Sequence, residues 1–291
     1  MQQVFNGISS GSIYALFAIG FTLVFGVLDR LNLAHSAVFT VAAYVGIEFV
    51  VTGGLPIWLA IVGVLVVGAL LGLIIERVAF RPLAGRPDAH FAGLISSIAL
   101  GGILLSLLQA RFGPDTRRFP PDAFPPTAWE FGGARVTLIQ VLILVIAFGL
   151  MVGLAALVQR SRLGRAMRAV AENPTAAKVL GINVNMVTST TFAISSAFGA
   201  VAGVLLALNV NTAQPGMGFA IELKGLAVII VGGMGSLLGS MVGGILLGLA
   251  EVFAVAYIGS SWRDVIAFGL LFAILLVRPE GMFGVKKVRE V

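Results

Sequence analysis

The sequence predicts an all-α fold, a polytopic transmembrane bundle of about eight helices with broken or partial helices toward its centre. Three observations carry this expectation. Residues of the AVILMFWYC set make up 58% of the 291 and charged residues only 11%, against about 25% charged in a soluble domain. The mean hydropathy is +1.04. The apolar residues also fall into runs near the roughly 20 that a helix needs to cross a hydrocarbon core of about 30 Å.

In chain order the runs are Val4 to Leu28, Ala34 to Thr52, Ile57 to Ile75, Phe91 to Phe112, Val136 to Val158, Thr188 to Leu208, Leu223 to Tyr257 and Val265 to Val277. No Lys or Arg precedes the first run, which is too long for a cleaved leader, so it is expected to stay in the membrane. The seventh exceeds one crossing and is interrupted by Gly232, Gly233, Met234, Gly235 and Ser236. It predicts a short or partial helix followed by a full one. Backbone breaks inside a bilayer only where protein or a water-filled cavity satisfies its amides and carbonyls, so this break points inward. The whole of 1–291 reads as one transmembrane domain with a single long polar insert at 159–187.

Basic residues orient the bundle. Arg160, Arg162, Arg165, Arg168 and Lys178 face only Glu172 in that insert, which places it in the cytoplasm. Arg77, Arg81 and Arg86 fall on the same side by parity, as do Lys286, Lys287 and Arg289 if the broken stretch counts as two passes. The loop from Arg111 to Arg135, with Pro114, Pro120, Pro121, Pro125 and Pro126 and the acids Asp115, Asp122 and Glu130, is assigned outside. The net charge of +6 is therefore spread over loops and forms no basic face for nucleic acid.

Enzymatic motifs are missing. The chain has no cysteine, and His35 and His90 are far apart with no metal-ligand spacing. No lysine follows a glycine, which excludes a P-loop. No catalytic residue, metal ligand or cofactor site is expected in this chain.

The insert from Arg160 to Asn183 is the most specific feature. Ala, Met, Arg and Glu favour helix from about Leu163 to Glu172. Asn173 then reads as an N-cap, Pro174 as the first residue of a second short helix, and Gly181 as the left-handed residue that closes it. Two short helices meeting at a bend suit a groove on a partner. A plain basic anchor would need the arginines but not this punctuation, and both readings stand. Elsewhere, Asp29 to Ser36 joins two runs too tightly for a free loop, so its polar groups are expected to cap helix ends, with His35 alternatively facing a cavity. Glu251 lies within an apolar run and is expected at a lumen or helix interface, whereas Glu48, near the end of its run, reads as interfacial. Glu222 and Lys224 read as interfacial charges at the edge of the broken stretch, or as gate or docking charges.

Taken jointly, several motifs resemble the permease subunits of branched-chain amino acid ABC importers, the subtype that pairs with a second related permease. They are Asn6-Gly7, the run from Gly11 to Gly20, Asn32 to His35 with Tyr44, and Glu76 to Pro82. Further along come Ser161 to Ala169 with Ala171-Glu172, Leu180 to Asn183, Leu223-Lys224, Gly232 to Ser236 and Arg278 to Gly281. The resemblance covers nearly the whole chain. It implies a multi-pass permease of the bacterial inner membrane that receives solute from a periplasmic solute-binding protein. Two cytoplasmic ABC ATPase subunits, which bind the ATP and magnesium, would drive it. It further implies that 159–187 is the coupling segment, with Gly164, Arg165, Arg168, Glu172, Asn173 and Gly181 at the ATPase contact.

Together with the inward-pointing break, the resemblance nominates Asn32, His35, Lys224, Gly232, Gly233, Gly235, Ser236 and Glu251 for the translocation path. Departures from the family pattern at Ser36, Ala37, Gly225, Leu226 and Leu238 fall at these same elements. The solute is accordingly open among branched-chain amino acids, other amino acids, urea and short amides. The competing readings are a self-sufficient channel or ion-coupled carrier, which would lean on Glu48 and Glu251, and a membrane scaffold.

Overall fold

The computed structural model describes residues 1–86, 88–120, 127–131 and 133–284. Asp122, Pro121, Pro125, Pro126, Lys286, Lys287 and Arg289, used above to orient the chain, lie outside that set. The helices are α1 (Gln2–Leu28), α2 (His35–Val51), α3 (Ile57–Ile75), α4 (Ala89–Phe112), α5 (Leu138–Arg160), α6 (Arg162–Glu172), α7 (Pro174–Val179), α8 (Val184–Val210), α9 (Met217–Gly232), α10 (Leu237–Tyr257) and α11 (Arg263–Val277). Seven helical segments among the described residues are long and apolar enough to cross a membrane.

The broken stretch resolves as expected, into α9 and then α10, with Gly233 and Gly235 at positive φ and the Ser236 hydroxyl accepting from the Gly239 amide at 3.0 Å. The run from Ala34 is shorter than a full crossing. α2 has 17 residues and α9 has 16, about 25 Å each at 1.5 Å per residue, below the roughly 30 Å of the hydrocarbon core.

The proline-rich loop contains one element that an all-α reading omits. Strand β1 (Ala128–Phe131) pairs antiparallel with β2 (Ala134–Thr137). Its end is fixed by the start of α5, where the Thr137 hydroxyl accepts from the Gln140 amide and the Gln140 side chain accepts from Thr137 N–H, a reciprocal cap. Gln2 exchanges hydrogen bonds with the Arg135 backbone, and Gln140 donates to Asn6 at 2.9 Å, so the hairpin is fastened to the first turns of α1.

α1, α2 and α8 form the buried centre, while α3, α4, α5 and α11 present wide apolar faces outward. Glycine sets the spacing of α1 and α10. A Cβ on Gly11 would lie 2.7 Å from the Ile245 Cα, one on Gly244 would lie 2.5 Å from the Ala15 Cα, and one on Gly248 would collide with Gly11 backbone. Small residues four apart on both helices let the backbones touch, which is how helices associate where lipid supplies no hydrophobic drive.

Candidate functional site

The two short helices start inside the bundle and meet there. His35 opens α2, and its ring packs on Phe17 and Phe21 of α1, with ring centroids 4.6 and 5.8 Å away. It also fills the space a Cβ would need at Gly20 of α1 and Gly199 of α8. These residues lie near the middle of two full-length helices, so the α2 N-terminus is at mid-bundle. α9 opens against it, since Gly218 rests on the Ser36 carbonyl and the Thr40 hydroxyl with no room for a side chain. Neither N-terminus has a side-chain cap. The connection from Asp29 is thus not the self-capping turn expected. Asp29 ends α1 in the left-handed region, and the Leu33 amide is satisfied from α4, by the Ser97 hydroxyl at 3.1 Å.

Polar side chains collect at this crossing. Ser36 donates to Glu222 Oε2 at 2.8 Å, and Thr40 donates to the Ser36 carbonyl at 3.0 Å. Glu222 Oε1, both amide atoms of Asn32, both ring nitrogens of His35 and the Ser195 hydroxyl are buried without a hydrogen-bond partner among the described residues. Glu222 is therefore no interfacial residue; it is 9% exposed.

A second cluster lies further along α9. Lys224 Nζ is 2.6 Å from Glu251 Oε1, and the Tyr14 hydroxyl donates to Glu251 Oε2 at 2.8 Å. At the rim, Asp264 is 3.3 Å from Lys224 and Arg263 is 3.7 Å from Glu251. Lys224 and Glu251, read separately from the sequence, are one buried ion pair joining α9 to α10, with Tyr14 tying in α1. Glu48, near the end of α2, is part-exposed and pairs with Arg117 at 2.9 Å.

The insert folds as its punctuation predicts. Ser161 caps α6 through the Gly164 amide at 2.9 Å, Asn173 caps α7 through the Ala176 amide at 2.9 Å, and Gly181 has φ 82°. Gly164 is buried where α6 crosses the end of α5, because a Cβ there would strike the Leu157 and Val158 carbonyls. Arg168 reaches back to donate to the Val158 carbonyl. Met167 and Val170 face inward, whereas Arg165, Glu172 and Asn173 are exposed. At the tip, Val179 and Leu180 are 83% and 80% exposed.

Beneath this elbow is a cavity of about 970 Å³, bounded by Asp29, Arg30, Glu76, Glu172, Ser236 and Glu280 among others. Gly235 and Ser236 line it, while Gly232 and Gly233 pack against Gly239 and Gly284. Glu76, 2% exposed, begins a π-helical turn, Glu76–Phe80, and accepts from Ser189 at 2.9 Å. The nominated path residues therefore fall into three places: Asn32 and His35 at the crossing, Lys224 and Glu251 in the ion pair, and the glycine turn with Ser236 at the cavity.

Tyr14 and Glu76 enter from the sequence only as parts of longer motifs, and Glu222 only as an interfacial, gate or docking charge. The available signal for Glu222 was its helical position: it falls two residues before Lys224 within an apolar run, where any acid is costly.

Comparisons with known proteins cover the same span. Residues 3–275 match the family described as the branched-chain amino acid transport system / permease component. The high-affinity branched-chain amino acid transport system permease protein BraD of Pseudomonas aeruginosa is 38% identical, over 100% of this chain and 98% of its own. LivH of Escherichia coli K12, similarly described, is 36% identical over 100% and 97%. A ribose import permease protein, RbsC of Haemophilus influenzae, is 27% identical over 99% and 88%. Among solved structures, a chain of PsaBC from Streptococcus pneumoniae in complex with Fab matches with a TM-score of 0.52 at 12% identity, covering 97% of this chain and 94% of that one, a likeness of fold alone. With a family model spanning most of its length and relatives this similar from end to end, the chain belongs to the branched-chain amino acid transport permease family.

Proposed function

We propose that this chain is the non-catalytic membrane permease of an ATP-driven importer that passes branched-chain or related small amino acids across the bacterial inner membrane by alternating access. Its partners are a second related permease, a periplasmic solute-binding protein and two ABC ATPases that hold ATP and magnesium. The relatives described as high-affinity branched-chain amino acid permeases support the solute class.

One observation carries the ATP-driven part: the α6–α7 elbow, capped at both of its starts, presents an exposed apolar tip at Val179 and Leu180. Two bare aliphatic side chains on a polar segment outside the spans cost free energy in water unless a partner covers them. The elbow is also seated firmly, through Met167 and Val170, on the bundle. A partner that gripped the tip and moved would therefore move α6. Coupling requires a contact whose free energy differs between two states, and an ATPase dimer that opens and closes supplies such a difference. The cavity beneath the elbow is then the cytoplasmic vestibule into which solute is released.

The test is reconstitution of the importer in proteoliposomes with leucine-loaded binding protein. Val179→Asp adds a charge at the tip without touching the buried face of the elbow. It is expected to cut leucine uptake at least about tenfold, as loss of one apolar anchor plus burial of a charge implies, while the permease still enters the membrane. Full uptake by this variant would refute the docking role.

A further inference from the structure

The crossing of α2 and α9 gathers buried polar groups that no neighbouring side chain among the described residues satisfies. Glu222 is nine-tenths buried, and its Oε1 has no partner among the described residues. Lys224, two positions along the same helix, cannot neutralise it because its ammonium is at Glu251. An unpaired carboxylate away from water requires a proton or a cation. Ser36, which donates to the other oxygen of Glu222, sits in the first turn of α2. The carboxylate is thereby aimed at a helix end where the Ser36 and Ala37 amides find no acceptor among the described residues. Helix N-terminal amides favour negative charge. Beside them Asn32, 2% exposed, holds both a donor and an acceptor in reserve. The crossing thus offers, side by side, a carboxylate that calls for a cation and free amides that favour an anion.

We propose that the α2–α9 crossing is the transit site for the zwitterionic backbone of an amino acid. The solute's ammonium is received by Glu222, and its carboxylate by the Ser36 and Ala37 amides and Asn32. This rests on the proposed function, since it assumes that an amino acid passes. In this conformation the site is closed, with Gly218 against the Ser36 carbonyl, so occupancy follows a slide of α9 off α2. Broken helices in a membrane commonly present their ends to a solute in this manner. Recognition by the solute's backbone leaves the side chain to apolar neighbours such as Phe17 and Phe39, which meet edge to face at 5.5 Å.

The experiment uses the assembled permease and ATPase complex in nanodiscs, without binding protein, and measures leucine binding with two competitors. Isopentylamine lacks the carboxylate and 4-methylpentanoate lacks the amine. Each is expected to bind at least about tenfold more weakly than leucine, as loss of a charge-assisted contact implies. Glu222→Gln weakens leucine by about tenfold and leaves 4-methylpentanoate within about twofold. Asn32→Ala gives the mirror pattern, weakening leucine and 4-methylpentanoate together and sparing isopentylamine. It is an independent arm should Glu222→Gln fail to assemble.

Unchanged leucine affinity in Glu222→Gln, or equal weakening of leucine and 4-methylpentanoate by that same variant, overturns the site. So does leucine uptake driven by a pH gradient without ATP and lost in Glu222→Gln, which would make the carboxylate a proton carrier. A wild-type complex that moves only uncharged amides refutes the solute class itself, before any variant is made.

Discussion

Removing one member of the Lys224–Glu251 pair leaves the other charged and buried. Their side chains are 9% and 1% exposed and 2.6 Å apart. Lys224→Met would leave Glu251 with the Tyr14 hydroxyl and with Arg263, which is 3.7 Å away and half exposed. Breaking a buried pair costs about 3–5 kcal/mol, and the two surviving contacts place this case near the lower end, about 3 kcal/mol. Glu251→Met leaves Lys224 beside Asp264, whose 66% exposure screens that attraction; about 3 kcal/mol is expected again.

The double variant removes both charges and keeps the volume filled but orphans the Tyr14 hydroxyl, so its expected cost is about 2 kcal/mol. The singles would then sum to about 6 kcal/mol and the double to about 2, a coupling of about 4 kcal/mol. Titration of the purified protein with denaturing detergent in mixed micelles, followed by loss of helical circular dichroism, reads all four corners of the cycle. A double variant as unstable as the sum of the singles would refute the reasoning. The two charges would then act independently, and their proximity would contribute nothing.

The glycine seam and the elbow give two further expectations. Gly248→Val forces branched methyls into Gly11 backbone and should abolish folded, detergent-stable protein by size-exclusion chromatography, whereas Gly149→Val, with nothing within 4 Å, should elute like wild type. Asn173→Ala removes the cap on the Ala176 amide, at a cost of about 1 kcal/mol to α7. Hydrogen exchange of Thr175 to Lys178 should quicken about fivefold, while α6 amides, capped separately by Ser161, keep their rates.

What was legible in the sequence follows from where its signals are local. The Asn173-Pro174 start, the Gly181 stop and the break at Gly232 to Ser236 are each set by residues within one turn, and they appear in the structure where the residue types demand. The hairpin from Ala128 to Thr137 was not legible, because its strands are four residues each among prolines and lean on Gln2 of α1. The mid-bundle placement of the short helices was hidden for the same reason. Ala34 to Thr52 has the composition of a span, but α2 starts at mid-bundle because His35 finds its seat between Gly20 and Gly199, residues remote in sequence. Likewise the Lys224–Glu251 pairing depends on α9 and α10 turning back on one another, which neither residue's neighbours reveal.

The arrangement also says how a push on the elbow would reach the crossing. α6 packs on α1, α5 and α8 and makes no comparable contact with α2 or α9. α1 in turn is locked to α10 along the glycine seam, and α10 holds the far end of α9 where Gly239 meets Gly232. Under the proposed coupling, displacement of α6 would carry α1, α10 and the end of α9 together, and α8 with them, because α6 and α1 both pack on α8 and close backbone contacts transmit strain. α2 is held differently. It is seated by His35 between α1 and α8, fastened to α8 where Gly203 meets Phe39, and tied by Ser97 to α4. What sets apart the crossing where Gly218 lies on Ser36 is its uncapped helix starts and its unsatisfied polar atoms, Glu222 Oε1 among them. Under the proposed function, a push that reached this crossing would act where buried polar groups have unmet hydrogen bonds to gain from a change of partner, which is the differential contact that a switch between two conformations needs.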